Sequence, residues 1–292
     1  MLKAFTYLLC FYLLVSCGKD DAKKGVIEAT AANDAPLQAP NQGEWRYEHK
    51  ENHQTFEAYK TGNPVHLTAD HNIIFIRPIG RFSDMENKLL QYTVDYVQIF
   101  FQTKTILLPV ISDSIIPDTA RRMRDGGNEQ LLASYILNPI LKNGFPPGGI
   151  VYMAITAKDL YPSLSWNFVF GQASYEDKIG VSSINRLVIN KMDSSNYQIC
   201  LERLIQVASH EIGHMFSLHH CIHFKCTMNG SNSLQESDGQ PNRLCAECLQ
   251  KLSWNLQFDN VKRLKELLAY FQQHKLASDY ALLKQDADAA GF

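Results

Sequence analysis

The sequence has no excess of either charge, no apolar run long enough to cross a membrane, and no internal repeat. A formal net charge of −2 gives no electrostatic reason to expect nucleic acid as a partner. The N-terminal apolar run, from Ala4 to Val15, falls short of the ~20 residues that a spanning helix needs. Cysteine is scarce and odd in number, at 7, which argues against a complete disulfide framework. What remains is ordinary globular composition, with 45% hydrophobic and 20% charged residues over 292 positions. That length suits one large domain or two small ones.

The N-terminus stands apart. Residues 1–16 have one lysine and then an apolar core of secretory-signal length. The run ends in Leu14-Val15-Ser16-Cys17, which resembles a bacterial lipobox and implies cleavage before Cys17 and lipid on its sulfur. The expected result is a lipoprotein held peripherally at a membrane in the cell envelope, on the outer membrane of a Gram-negative cell. A plain signal peptide with Cys17 incidental is the competing reading. Residues 17–44, rich in Ala, Lys, Asp, Pro and Gln, read as a flexible tether. The domain proper is expected over 45–292, divided at residue 220, as a monomer.

Within the domain, "NIIFIRPI" (72–79), "TILLPVI" (105–111) and "IVYMAIT" (150–156) read as strands. So do "NFVFGQAS" (167–174) and "RLVIN" (186–190). Ser83 caps a helix in which Leu89, Leu90, Val94, Val97 and Phe101 recur at helical spacing. Helices are also expected over 129–143, bent at Pro139, from about Asn196, and over 259–275. Strands alternating with helices, followed by a helical remainder, predict a mixed α/β (α+β) fold with a small, mostly helical C-terminal part.

The chemistry concentrates in "HEIGHMFSLHHCIHFKC" (210–226). His210 and His214, four apart on a helix, lie on one face and can reach one metal ion. Glu211 sits beside them, where it can take a proton from metal-bound water. Alone, such a motif occurs by chance on helices that bind nothing. A third histidine past the helix end strengthens it: His220 fits, with His219 and His223 as neighbouring competitors. The 210–214–220 spacing, with Met228 eight residues on, matches the metzincin signature of a catalytic zinc above a methionine turn. Ser217 stands where that signature has glycine, a departure that bears on the turn more than on the ligands.

Cys221, Cys226, Cys245 and Cys248 form two close pairs, a donor set suited to tetrahedral zinc. Two disulfides are the alternative in an exported protein. Cys200 stands apart among apolar residues and reads as a buried, inert thiol.

Together, "HEIGHMFSLHHCIHFKCTM" and "CAEC" resemble the archaemetzincins. The stretches 159–174 and 228–248 are similar as well, so the resemblance spans roughly residues 72–255. It implies a metzincin-like twisted mixed sheet with an active-site helix and a C-terminal subdomain. It implies two Zn2+ ions: a catalytic one on His210, His214 and His220, with Glu211 as base, and a structural one on Cys221, Cys226, Cys245 and Cys248. It also implies that Asn167, Phe168, Val169, Phe170 and Gly171 form an edge strand for an extended peptide or protein substrate.

The expected reaction is zinc-dependent peptide hydrolysis, with zinc-bound water activated by Glu211. Whether cleavage is internal or from an amino end is open. The alternative is a membrane-tethered, zinc-stabilised binding module that has lost hydrolysis. Retention of Glu211 argues against it, because a structural metal site has no need of a base.

Overall fold

The computed structural model describes residues 25–124, 127–188 and 192–292. The signal segment and Cys17 lie outside the described residues. Among them, no helix is long and apolar enough to cross a membrane.

The central sheet has five strands: β1 (Ile73–Ile79), β2 (Thr105–Leu107), β5 (Gly149–Thr156), β7 (Gly171–Ser174) and β8 (Ile179–Ser183). Their spatial order is β2-β1-β5-β8-β7. β1, β2, β5 and β8 run parallel, and β7 returns antiparallel on β8 at the edge. The mixed α/β class expected from the sequence is the one observed. β1 and β5 are buried on both faces, which is why they read as near-continuous apolar runs. Ile74, Ile76, Val151, Met153 and Ile155 face one core, while Phe75, Tyr152 and Ala154 face the other.

The first core is closed by the Asp84–Phe101 helix and the active-site helix, Tyr197–Met215. Ser83 and Glu86 form a reciprocal capping box at the start of the former. A C-terminal trio, Ala246–Leu256, Asn260–Gln273 and Ala277–Ala289, packs against the same side.

Two expected elements differ, and strand β8 was not expected. Residues 129–132, read as the start of a helix, are strand β4 (Glu129–Leu132), paired with β3 (Arg121–Met123) and β6 (Asp159–Tyr161) in a small second sheet. The chain then enters a widened helical stretch, Ile136–Lys142, around Pro139. Arg186–Val188 pair with no strand, residues 189 and 190 lie outside the described residues, and β8, a five-residue strand that carries Gly180, Ser182 and Ser183, went unread.

Residues 25–44 also differ from a tether. Residues 25–32 are helical, with Val26, Ala29 and Thr30 buried. Asp34 bonds Arg243 at 2.7 Å, and Arg243 also bonds Asp286 at 2.6 Å. The Arg243 and Asp34 side chains are each only 4% exposed. A buried guanidinium requires carboxylate partners, and that requirement holds the polar segment on the domain.

Candidate active site

The active-site helix carries its apolar face, Leu201, Leu204, Ile205, Ala208 and Ile212, into the first core. That fixes the azimuth of His210 and His214 at its last two turns. The helix ends in a paired motif: Ser217 N–H donates to His214 O at 2.8 Å and Leu218 N–H to Gly213 O at 3.0 Å. These are the two bonds of a Schellman stop, which needs a left-handed residue at its centre. Ser217 takes that conformation, with φ 68°. Its Oγ accepts from Val65 N–H at 3.1 Å, and its carbonyl accepts from Gln54 Nε2 at 2.9 Å. The turn expected of glycine is therefore built with serine.

The turn brings His220 back to the helix. One ring nitrogen from each of His210, His214 and His220 can be chosen so that all lie within 4.8 Å of one another. His219 and His223 are not part of this cluster. The tautomers follow from the outer partners. His210 Nδ1–H donates to Thr227 O at 2.9 Å, and His214 Nδ1–H to Leu218 O at 2.7 Å, with the Tyr175 hydroxyl also 2.7 Å from that nitrogen. His220 Nδ1–H donates to Glu51 Oε1 at 2.7 Å. Each ring thus keeps its Nε2 lone pair for the centre. Nε2 of His210 and of His214 lie 3.0 Å apart with no proton between them. Two lone pairs at that distance repel unless a cation shares them, so the donor set fits zinc.

Electrostatics agree. Burial drives His210 down to about 3 and His214 well below the ordinary imidazole range, so both are neutral, the ligand form. Burial pushes the Glu211 carboxyl up to about 8. Burial also works to raise Glu51, but hydrogen bonds from His220 and Trp45 outweigh it and hold that carboxyl low.

Glu211 faces the edge strand so closely that a Cβ on Gly171 would lie 2.5 Å from its Oε1. Met228 is fully buried against Gly213, where a Cβ would lie 2.5 Å from its Sδ. Of the residues expected in the edge strand, Gly171 begins β7. Phe170 O still accepts from Ser183 N–H at 2.9 Å, and Val169 bridges Leu160. Asn167 and Phe168 lie outside the ladder, but all five line a cleft of about 720 Å³ that reaches His210, Glu211, His214 and His220. Trp45, Trp166 and Val207 give the cleft apolar walls.

Behind the histidine turn, the sulfurs of Cys221, Cys226, Cys245 and Cys248 lie within 4.8 Å of one another, all four residues buried. Cys221 and Cys245 sulfurs are 3.7 Å apart, and no disulfide joins any of the described cysteines. Hydrogen bonds from Cys226 and the other two thiols pull Cys221 toward thiolate, while burial pushes Cys226 up. Four thiols crowded without another cation fit a tetrahedral zinc. Cys221 N–H donates to Met228 O at 2.8 Å, tying this cluster to the methionine under the helix. Cys200 is remote and buried, its thiol pushed up to about 12 by burial.

Glu51, Gln54 and Tyr175 were missed in the sequence. Glu51 and Gln54 belong to a strap over residues 49–55 that lies some 170 positions from its partners, and no local pattern marks them.

Residues 145–254 match the family described as peptidase family M54. The chain is 32% identical to archaemetzincin-2 of Homo sapiens over 267 residues, 80% of this chain and 74% of that protein. It is 30% identical to the archaemetzincin of Thermococcus kodakarensis over 189 residues, 63% of this chain and 97% of that one. A crystal structure of archaemetzincin from Methanopyrus kandleri aligns with a TM-score of 0.52 at 26% identity, covering 64% of this chain and 97% of the other.

Proposed function

Since the chain belongs to the archaemetzincins and is a zinc metallopeptidase acting on peptides or proteins, we propose that its catalytic zinc is held by His210, His214 and His220, with Glu211 as the base. A second, structural zinc is held by Cys221, Cys226, Cys245 and Cys248. The observation that carries the first assignment is the pair of Nε2 atoms of His210 and His214, 3.0 Å apart with both Nδ1–H groups committed to carbonyls.

Zinc, when bound, supplies an acidified water and polarises the scissile carbonyl. The protein's own residues do the rest. The outer edge of β7 offers main-chain groups to an extended substrate, which lays the scissile bond across the Glu211 carboxylate. Glu211 accepts the proton of the attacking water and returns it to the leaving amine. Its apolar surroundings favour the protonated state in which it makes that return. Met228 supports the helix beneath the histidines at Gly213.

The test is metal analysis beside Glu211→Gln. That variant is expected to keep two zinc ions per chain and to lose peptide hydrolysis by about 100-fold or more. Cys248→Ser is expected to lose one ion. Hydrolysis by Glu211→Gln at the parent's rate overturns the base assignment, and one ion in the parent overturns the two-site reading.

The Leu14-Val15-Ser16-Cys17 sequence supports an envelope lipoprotein. Mass spectrometry of the native N-terminus is expected to find lipid-modified Cys17. An unmodified residue at the N-terminus excludes that anchor.

A further inference from the structure

Among the described residues, the catalytic and cysteine clusters leave one further group of metal-binding side chains unused. One ligand atom from each of His53, His223 and Glu247 lies within 4.8 Å of the other two. His53 Nε2 is 2.7 Å from Glu247 Oε2, and the rings of His53 and His223 are 4.1 Å apart. Lys251 Nζ sits 3.8 Å from the other carboxylate oxygen, Oε1, so the two oxygens of Glu247 are divided between a cation and the imidazoles.

We propose that His53, His223 and Glu247 form a third zinc site, weaker and more exchangeable than the other two, that fastens the strap to the cysteine cluster. Two imidazoles and one carboxylate are borderline ligands that suit zinc better than calcium or magnesium. Around a tetrahedral zinc with ligands at 2.0–2.1 Å, donor atoms stand about 3.3 Å apart. The observed spacings, from 2.7 Å to no more than 4.8 Å, bracket that value. His53 and Glu247 are half-buried and His223 is exposed, so small rotamer changes can close the set. Binding displaces the proton shared by His53 Nε2 and Glu247, which moves to His53 Nδ1 or to water. Three protein ligands leave one position to water, which makes the ion exchangeable.

The placement gives the site a consequence. His223 lies in the loop between Cys221 and Cys226, and Glu247 lies between Cys245 and Cys248. The third ion therefore grips the His223 loop and the first turn of the Ala246–Leu256 helix, the two segments that carry the cysteines. His53 lies two residues from Glu51, which holds His220, and next to Gln54. The Gln54 side chain donates to Ser217 O and accepts from His219 N–H. An ion here fixes the strap that orients the third histidine.

The experiment titrates Zn2+ by calorimetry into protein dialysed until its metal content is constant, for the parent, His53→Ala and His223→Ala. The parent is expected to take up one more ion, with affinity at least tenfold weaker in either variant. Hydrogen exchange of residues 49–55 in the parent is expected to slow on zinc addition and to stay unchanged in His53→Ala. His53 is outside both cysteine-bearing segments, so that variant keeps the test valid if His223→Ala unfolds. No additional ion in the parent, or equal uptake by parent and His53→Ala, overturns the proposal. The proposal is separable from the two-zinc reading, whose failure appears in the metal content before titration rather than in the difference between parent and variant.

Discussion

The Glu51 carboxylate accepts the Nδ1–H of His220 at 2.7 Å, across a separation of 169 positions in the chain. His220 is the one histidine of the three that lies beyond the helix, and its outer nitrogen meets a carboxylate where the other two each donate to a backbone carbonyl. Its orientation therefore depends on the strap, which the Trp45 indole also holds by donating to Glu51 Oε2 at 3.0 Å.

Removing that carboxylate should loosen the metal and spare the fold. Glu51→Ala is expected to weaken zinc at the histidine site by about 10–100-fold, the usual cost of deleting a hydrogen-bond partner behind a ligating imidazole. Glu51→Gln, which still offers an oxygen to Nδ1–H, should lose less. Competition with a chelator measures both. Equal zinc retention by parent and Glu51→Ala would show that His220 is oriented by its turn alone.

Gly171 is expected to tolerate no side chain, for a reason unrelated to its backbone. A Cβ there would lie 2.5 Å from Glu211 Oε1, 2.8 Å from Cγ and 2.9 Å from Cδ. Gly171→Ala should push the carboxylate out of place and lower kcat by at least about tenfold, because general-base catalysis is worth about 100-fold or more and depends on placement. Metal content should not change. A variant with full kcat would mean that Glu211 is free to move aside without cost.

How much of this was legible follows from range along the chain. His210, Glu211 and His214 are read from one helical turn, and Cys245 and Cys248 from another, because spacing along a helix fixes which side chains share a face. β1 and β5 are legible because burial on both faces leaves an unbroken apolar run. Strand β4 was read as helix because "EQLL" has helical composition, and pairing with β6 overrode that preference. Residues 25–44 were read as tether because few of their side chains are large and apolar and a main anchor is a polar one: Asp34 is held by Arg243, 209 positions away. Glu51 and Gln54 escaped notice for the same reason. Ser217 marks the reverse case, where a departure from a motif was visible and only the structure shows how the turn is kept.

Glu202 gives a pH test away from the metal centres. Burial first, then the charges of Asp279 and Asp238, raise its carboxyl from the usual 4.5 to about 7. A group whose folded pKa lies above its unfolded one contributes stability at low pH and loses it as pH rises, here between about 4.5 and 7. Glu202→Gln removes the group and should therefore stabilise the protein at pH 8 while changing little at pH 4. The ceiling is about 3 kcal/mol, with about 1 kcal/mol a realistic gain after partial exposure to water. Denaturant unfolding at the two pH values measures the difference. A gain of the same size at both would assign the effect to packing and not to charge.

Ser217 gives the last prediction, because two opposing terms meet at one residue. Its φ of 68° costs a non-glycine residue about 1 kcal/mol, and its Oγ recovers a similar amount by accepting Val65 N–H at 3.1 Å. Ser217→Gly relieves the strain and loses the hydrogen bond, so its stability should fall within about 1 kcal/mol of the parent. Ser217→Ala keeps the strain and loses the bond, so it should be about 1 kcal/mol less stable than the parent. Both should keep the Schellman bonds, which use main-chain atoms only, and hence the histidine geometry and peptidase activity. Thermal unfolding of the three proteins orders them. If Ser217→Gly is destabilised as far as Ser217→Ala, no strain is stored at this turn, and serine stands there for its hydroxyl alone.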